Sequence, residues 1–148
     1  MAQLLVGLGS DLVEVARFRL AMERRSGLPE RLFSDAEREY AFRQKDPVKS
    51  LAARFGAKEA VMKAMSVGLW KFKLRDIEVV RATSGAPSVA LHGKAATMAE
   101  ERGVTSWALS LTHTDTTALA VAVALTDVSP NALASLSYRG GSEVTPRG

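Results

Sequence analysis

The chain predicts an α+β fold, a single domain with helices packed on a largely antiparallel sheet. Three observations carry this. Short apolar runs bounded by glycine and turn residues stand near the start and in the second half. Helix-period segments cluster between them. The stretch "LSLTHTDTTALAVAVAL" reads as two strands meeting at a turn. The predicted order is a strand, three helices, two strands, a helix and two strands, which favours helices set against an antiparallel sheet over a βαβ array. The 148 residues, 47% of them hydrophobic, suit one domain with a real core.

Taking the elements in order, "QLLVGLG" is a brief apolar run with glycines, too short for a core helix, and reads as a buried strand ending at Asp11. From about residue 12 to 25, "LVEVARFRLAMERR" sets Val15, Phe18 and Met22 among four arginines, an amphipathic basic helix. Gly27 and Pro29 punctuate. In "SDAEREYAFRQ", Ser34 stands three residues before Glu37, the reciprocal capping pattern of a helix start, and Asp46-Pro47 closes the segment. A long helix follows from about 48. "LRDIEVVRAT" and "APSVALHG" are strands joined by the turn "SGAP". "KAATMAEERG" is a short helix ended by Gly103. "SWALSLTH" and "TTALAVAVAL" form a hairpin through "THTDT". Residues 1–127 make the domain. The Ser-, Gly- and Pro-rich stretch 128–148 is expected to be mostly a disordered tail.

Composition narrows the chemistry. Without cysteine there is neither a disulfide framework nor a thiolate zinc site, so a hard cation held by carboxylates is the better match. The N-terminus lacks a basic region before its apolar run and meets an acid at Asp11. It reads as neither signal peptide nor membrane span, and a cytoplasmic protein is expected. The overall charge of +4 is unevenly spread: residues 1–75 carry +6 and the remainder −2. A basic first half fits an acidic partner or a polyphosphate, or simply a solvated surface. "GLGSDL" fails the dinucleotide fingerprint because Leu12 stands where the third glycine belongs. No P-loop, EF-hand, zinc-protease or nucleophile-elbow pattern occurs.

The helix containing "RFGAKEAVMKAM" raises the sharpest question. Leu51, Phe55, Val61, Met62 and Met65 fall on one side and Ala53, Ala57, Ala60 and Ala64 on the other, so both faces want partners. Glu59 and Lys63, one turn apart on the seam, are expected near the core, where two charges need compensation by a metal ion or phosphate. Exposed, the same spacing is an ordinary i,i+4 pair. Lys58 falls in the middle of the large apolar face, where it either snorkels or marks an exposed stretch. On the first strand, Gly7, Gly9 and Asp11 share a side, and two missing side chains leave open space beside an acid; helix capping is the plainer role for Asp11. His113 ends a strand whose Trp107, Leu109 and Leu111 share a face. Ser110, Thr112, Thr114, Thr116 and Thr117 make a hydroxyl-rich rim around it, suited to phosphate.

These residues lie in three stretches, "VGLGSDLVEVARF", "ARFGAKEAVMKAM" and "LSLTHTDTTALAVAVAL", that together resemble the holo-acyl-carrier-protein synthases, small trimeric 4′-phosphopantetheinyl transferases. The resemblance runs through about residues 4–125. It implies Mg2+-dependent transfer of 4′-phosphopantetheine from coenzyme A to a serine of an acyl carrier protein, releasing adenosine 3′,5′-bisphosphate. It implies that Asp11 and Glu59 are the metal ligands, that Lys63 faces the phosphates and can protonate the departing oxygen, and that His113 lies near the coenzyme A cleft. It extends coenzyme A contacts to Lys45, Arg54, Gly85, Pro87 and Thr114, and docking of the acidic carrier to Arg17, Phe18, Met22, Arg24 and Leu28. A homotrimer with active sites between subunits is implied as well.

Two positions depart from the family pattern. Ala86 stands in "SGAP" where a lysine or arginine is common, and Gly56 stands in "FGAKEA" where alanine is usual, at a helix cost of about 1 kcal/mol. Two other readings exist: a carrier-binding module without catalysis, and a basic nucleic-acid-binding domain. Retention of Asp11, Glu59 and Lys63 argues against the first. The second lacks an aromatic-lined strand platform, so neither nucleic acid nor a membrane is expected as a partner.

Overall fold

A computed structural model describes residues 1–68 and 71–137. Strand β1 (Ala2–Glu14) leads into helix α1 (Val15–Arg24), short α2 (Leu28–Leu32), α3 (Asp35–Phe42) and the long α4 (Pro47–Ala64). A 3-10 turn at Leu74–Asp76 precedes β2 (Ile77–Arg81) and β3 (Pro87–Leu91). Helix α5 (Gly93–Glu101), β4 (Ser106–His113), β5 (Thr117–Val128) and α6 (Pro130–Ser137) complete the order.

The strands form two antiparallel sheets, β1-β5-β4 and β2-β3, where a single sheet was expected. The predicted β4–β5 hairpin is present, its turn closed by the Thr114 amide donating to the Thr117 carbonyl at 2.8 Å, and the Val15 amide at the start of α1 donates to the Thr116 carbonyl at 2.9 Å. Alternation on β5 is clean: Ala118, Ala120, Ala122 and Ala124 are buried against α4, while Leu119, Val121 and Val123 face outward.

Three boundaries differ from the sequence reading. β1 continues past Asp11 to Glu14 because Leu12, Val13 and Glu14 keep pairing with Leu119, Ala118 and Thr117, so α1 begins at Val15, not residue 12. A short helix, α2, occupies the stretch read as punctuation at Gly27 and Pro29. Gly27, at φ 79°, makes the turn into it. A helix also forms at Pro130–Ser137, inside the segment expected to be disordered; residues 138–148 lie outside the described residues. The Ser34–Glu37 capping box forms as predicted, with the Ser34 amide donating to Glu37 at 2.8 Å and the Glu37 amide to Ser34 Oγ at 3.2 Å.

Helix α4 is the spine, and both of its faces are covered. Val61, Met62 and Met65 join Ile77, Val79 and Phe72 in one core cluster, with Trp107, Leu109 and Leu111 packed against it. Leu51, Ala52 and Ala53 join Val13, Phe18 and Phe33 in a second. The alanine face lies directly on β1. A Cβ placed on Gly7 would sit 1.9 Å from the Ala64 carbonyl oxygen, and one on Gly9 would sit 1.9 Å from that of Ala60. The missing side chains therefore make room for the helix backbone, which corrects the expectation that they open a space beside Asp11. Gly9→Ala is expected to destabilise the domain by about 3 kcal/mol or more, at or above the top of the usual overpacking range, because backbone must move. Chemical denaturation of the two proteins reads this out; equal midpoints would contradict the close approach.

Candidate active site

The packing of glycines on alanines brings β1 and α4 together and thereby places Asp11 beside the seam of α4. Lys63 donates to the Asp11 carboxylate at 2.9 Å and to the Ser10 carbonyl at 2.8 Å. Glu59, one turn earlier on α4, is half-buried, and its carboxyl is pushed above the ordinary range, first by burial and then by the negative Asp11, against the pull of Lys63. The three residues form one cluster. The depth differs from expectation, since the Lys63 side chain is 53% exposed and that of Asp11 only 18%.

The fully buried charges are instead Lys58 and Glu37. Lys58 neither snorkels nor lies exposed. Its ammonium donates to Glu37 at 2.8 Å, to the Leu74 carbonyl at 3.1 Å and to the Ile77 carbonyl, and sits 5.1 Å from the Phe33 ring centre. The other Glu37 oxygen accepts from the Val79 amide at 2.9 Å. One carboxylate thus joins the start of α3, the middle of α4 and the edge of β2. Burial lowers the Lys58 pKa and Glu37 opposes the shift.

Beside the other half of α4 lies a cleft of about 850 Å³, lined among others by Lys45, Arg54, Gly85, Pro87 and His113. The sequence reading named all five as coenzyme A contacts, and the fold brings them to one place. Arg19, Tyr40, Lys49 and Arg81 also line it, and sequence reasoning missed them. Their signal is tertiary: Tyr40 comes from α3 and Arg81 from β2, and only the fold brings the Arg54 and Arg81 guanidinium groups over the Tyr40 ring. Among the described residues, Asp46 is the only acid in the lining. It caps α4 through the Val48 and Lys49 amides, and the Arg19 guanidinium at 2.6 Å holds its carboxyl below the usual range. The cleft is strongly cationic. Thr114 is absent from its lining and accepts from the Thr116 and Thr117 amides within the β4–β5 turn.

The docking residues divide. Arg17 and Arg24 are exposed on α1 and Leu28 is half-buried. Phe18 is only 7% exposed and packs on Phe33 and Phe55, so it offers no free apolar surface, while Met22 is partly buried against the same core cluster. Leu20, 48% exposed, was the apolar residue left out of the sequence reading.

Asp11 and Glu59 suit a hard cation. Two carboxylates repel across a partly desolvated site, and Mg2+ is commonly held by one or two carboxylates with the remaining positions left to water and phosphate. No cluster of three or more such ligands occurs among the described residues. Likewise, no helix among them is long and apolar enough to cross a membrane.

Residues 7–124 match the model of the 4′-phosphopantetheinyl transferase superfamily. The chain is 39% identical over 117 residues to a holo-[acyl-carrier-protein] synthase of Caldanaerobacter subterraneus, covering 79% of this chain and 92% of that one. With the corresponding synthase of Moorella thermoacetica, identity is 43% over 115 residues, covering 78% and 90%. Its fold superposes on a Chronobacterium ammoniagenes ACPS–CoA complex with a TM-score of 0.72 at 27% identity, covering 87% of this chain and 100% of the other. By sequence, fold and the placing of its charged residues, the chain belongs to the holo-acyl-carrier-protein synthase family of 4′-phosphopantetheinyl transferases and is an enzyme of that class.

Proposed function

We propose that this enzyme transfers 4′-phosphopantetheine from coenzyme A to a serine of an acidic acyl carrier protein, with Mg2+ at Asp11 and Glu59 and release of adenosine 3′,5′-bisphosphate. The observation that carries the reading is the Asp11–Glu59–Lys63 cluster set on the same helix as a cationic cleft. A relative solved with coenzyme A supports the choice of donor.

The cation, when bound, supplies positive charge to the pyrophosphate. The bond formed joins the carrier serine oxygen to the β-phosphorus, the bond broken is that of the pyrophosphate bridge, and the serine proton passes to the Glu59 carboxylate or to water. Lys63, exposed and hydrogen-bonded to Asp11 and Ser10, turns its ammonium to the departing oxygen and gives it a proton. Lys45, Arg54 and His113 hold the donor from the cleft. On α1, Arg17 and Arg24 steer the carrier, with Leu20 and Leu28 as apolar contacts, so encounter slows as salt rises.

A homotrimer completes the proposal. On the outer face of the β1-β5-β4 sheet, Leu8 and Leu12 are 62% and 66% exposed and stand opposite Val123 and Leu119. That apolar ladder is a surface other copies of the chain would cover.

The test is the intact mass of an apo acyl carrier protein incubated with the enzyme and coenzyme A, with Mg2+ or with a chelator. A gain of one phosphopantetheine only with Mg2+ is expected, from an enzyme whose light-scattering mass is three chains. No gain on any apo carrier that the folded protein binds would leave a carrier-binding module.

A further inference from the structure

We infer that Glu37 and Lys58 are positioning residues of the transfer: their buried hydrogen-bond hub fixes where α4 lies along β1, and so how the Glu59 carboxylate stands to that of Asp11. The inference rests on the transferase reading above and assigns a task to two residues that the chemistry itself leaves unused.

The two acids sit on different elements, and the contact between those elements is smooth. β1 and α4 run in opposite directions, with Gly7 against Ala64, Gly9 against Ala60, and Val13 and the Asp11 carbonyl beside Gly56. Glycine on alanine sets how closely strand and helix approach. Interlocking side chains are what set one element's place along another, and along these contacts Val13 alone has a branched side chain. The glycine line therefore fixes the distance between β1 and α4 far better than it fixes their register.

Directional contacts come from the other side of the helix. Lys58 stands two residues from both Gly56 and Ala60, about half a turn round α4 from each. Its ammonium has three N–H donors, and three parts of the chain take them: Glu37 of α3 at 2.8 Å, the Leu74 carbonyl of the 3-10 turn at 3.1 Å and the Ile77 carbonyl of β2. Both Glu37 oxygens are engaged in turn. Oε2 also accepts from the Ser34 amide at 2.8 Å, and Oε1 accepts from the Val79 amide at 2.9 Å.

Among the described residues, two other α4 side chains donate to neighbouring elements, Lys49 to Asp115 and Lys63 to Ser10 and Asp11. Asp115 and Lys63 are exposed, whereas Glu37 and Lys58 are shielded from water altogether. A buried and fully paired set of this kind is both rigid and directional. Glu59 is the next residue after Lys58, so a helix anchored at Lys58 carries the acid with it. Where reacting groups must be aligned, a displacement of about 1 Å costs on the order of 10²-fold in rate.

The experiment uses the full chain as wild type, Lys58→Met, Glu37→Asp and Met98→Ala. Glu37→Asp keeps the charge pair but draws it back by one methylene. Met98→Ala trims the core on α5 and leaves the hub intact. Melting curves set an assay temperature at which the folded variants are fully native. There, kcat is measured on an apo acyl carrier protein with coenzyme A and Mg2+, and Mn2+ binding in the presence of coenzyme A is followed by electron paramagnetic resonance. Lys58→Met and Glu37→Asp are expected to lose at least about tenfold in kcat and to bind Mn2+ at least about tenfold more weakly. Met98→Ala is expected to melt lower with both values unchanged. If Lys58→Met does not fold, the milder Glu37→Asp decides. Wild-type kcat and Mn2+ affinity in a folded hub variant, or the same losses in Met98→Ala, would reduce the hub to a stabilising role and overturn the inference. A wild type that transfers nothing and binds no Mn2+ instead overturns the transferase reading.

Discussion

Glu59→Gln is expected to lose at least about 10²-fold in kcat, the scale on which removal of one positioned electrostatic group acts, while the protein stays folded. The amide keeps the volume of the side chain but takes away the charge that, with Asp11, would make the proposed cation site. The loss should appear at saturating coenzyme A, because the cleft lies on the other half of α4. Stability should move the opposite way. The Glu59 carboxyl is raised above its ordinary value of 4.5, with burial the largest cause. Between that value and the raised one, the folded chain holds a proton that the unfolded chain has released, so stability falls as pH rises through this window and remains lower above it. With chelator present at neutral pH, Glu59→Gln should therefore melt slightly higher than the wild type. An active Glu59→Gln enzyme would remove Glu59 from the chemistry, and one that melts lower would contradict the strain on its charge.

The second large effect is structural. Lys58→Met leaves the Glu37 carboxylate buried with no cation beside it and leaves the Leu74 and Ile77 carbonyls without their donor. Breaking such a pair costs about 3–5 kcal/mol, roughly 10–20 °C in Tm for a domain of this size and a large part of a typical 5–15 kcal/mol of total stability. Glu37→Gln combined with Lys58→Met should cost less than the two changes summed, because it removes the stranded charge while the Gln carbonyl still accepts one amide bond. A thermal double-mutant cycle measures the coupling. Additive losses would mean that the two side chains contribute independently.

Local rules made some of this legible. The capping box at Ser34 and Glu37, the β4–β5 hairpin and the two-faced character of α4 all follow from residues within a turn or two of one another. What was misread depended on distant partners. Nothing in "LVEVARF" says that Leu12, Val13 and Glu14 extend the strand, since the pairing that decides it is with Leu119, Ala118 and Thr117. Gly7 and Gly9 looked like open space because the helix that fills it lies some fifty residues on. Glu37 had a complete local explanation as a cap, which hid its second role as the counterion of Lys58. In the candidate site, Asp11, Glu59 and Lys63 could be named from spacing and family likeness, whereas Tyr40 and Arg81 carry no local signal at all. Phe18 was misassigned for a related reason: helical periodicity identifies an apolar residue, and only packing tells whether it faces the core or a partner.

The strand order bears on how the chain reaches this state. The central strand of the three-stranded sheet is β5, and its partner on one side is β1, with Ala2 opposite Val128. During synthesis from the N-terminus, β1 and then α4 emerge long before the strand that joins them, and the alanine-lined β5 cannot be replaced by anything made earlier. Closing so long a loop makes folding slow relative to a helical bundle of equal length. Until β5 arrives, the glycine-bearing strand and the apolar faces of α4 have no completed sheet to rest on, an interval in which nascent chains are most exposed to one another.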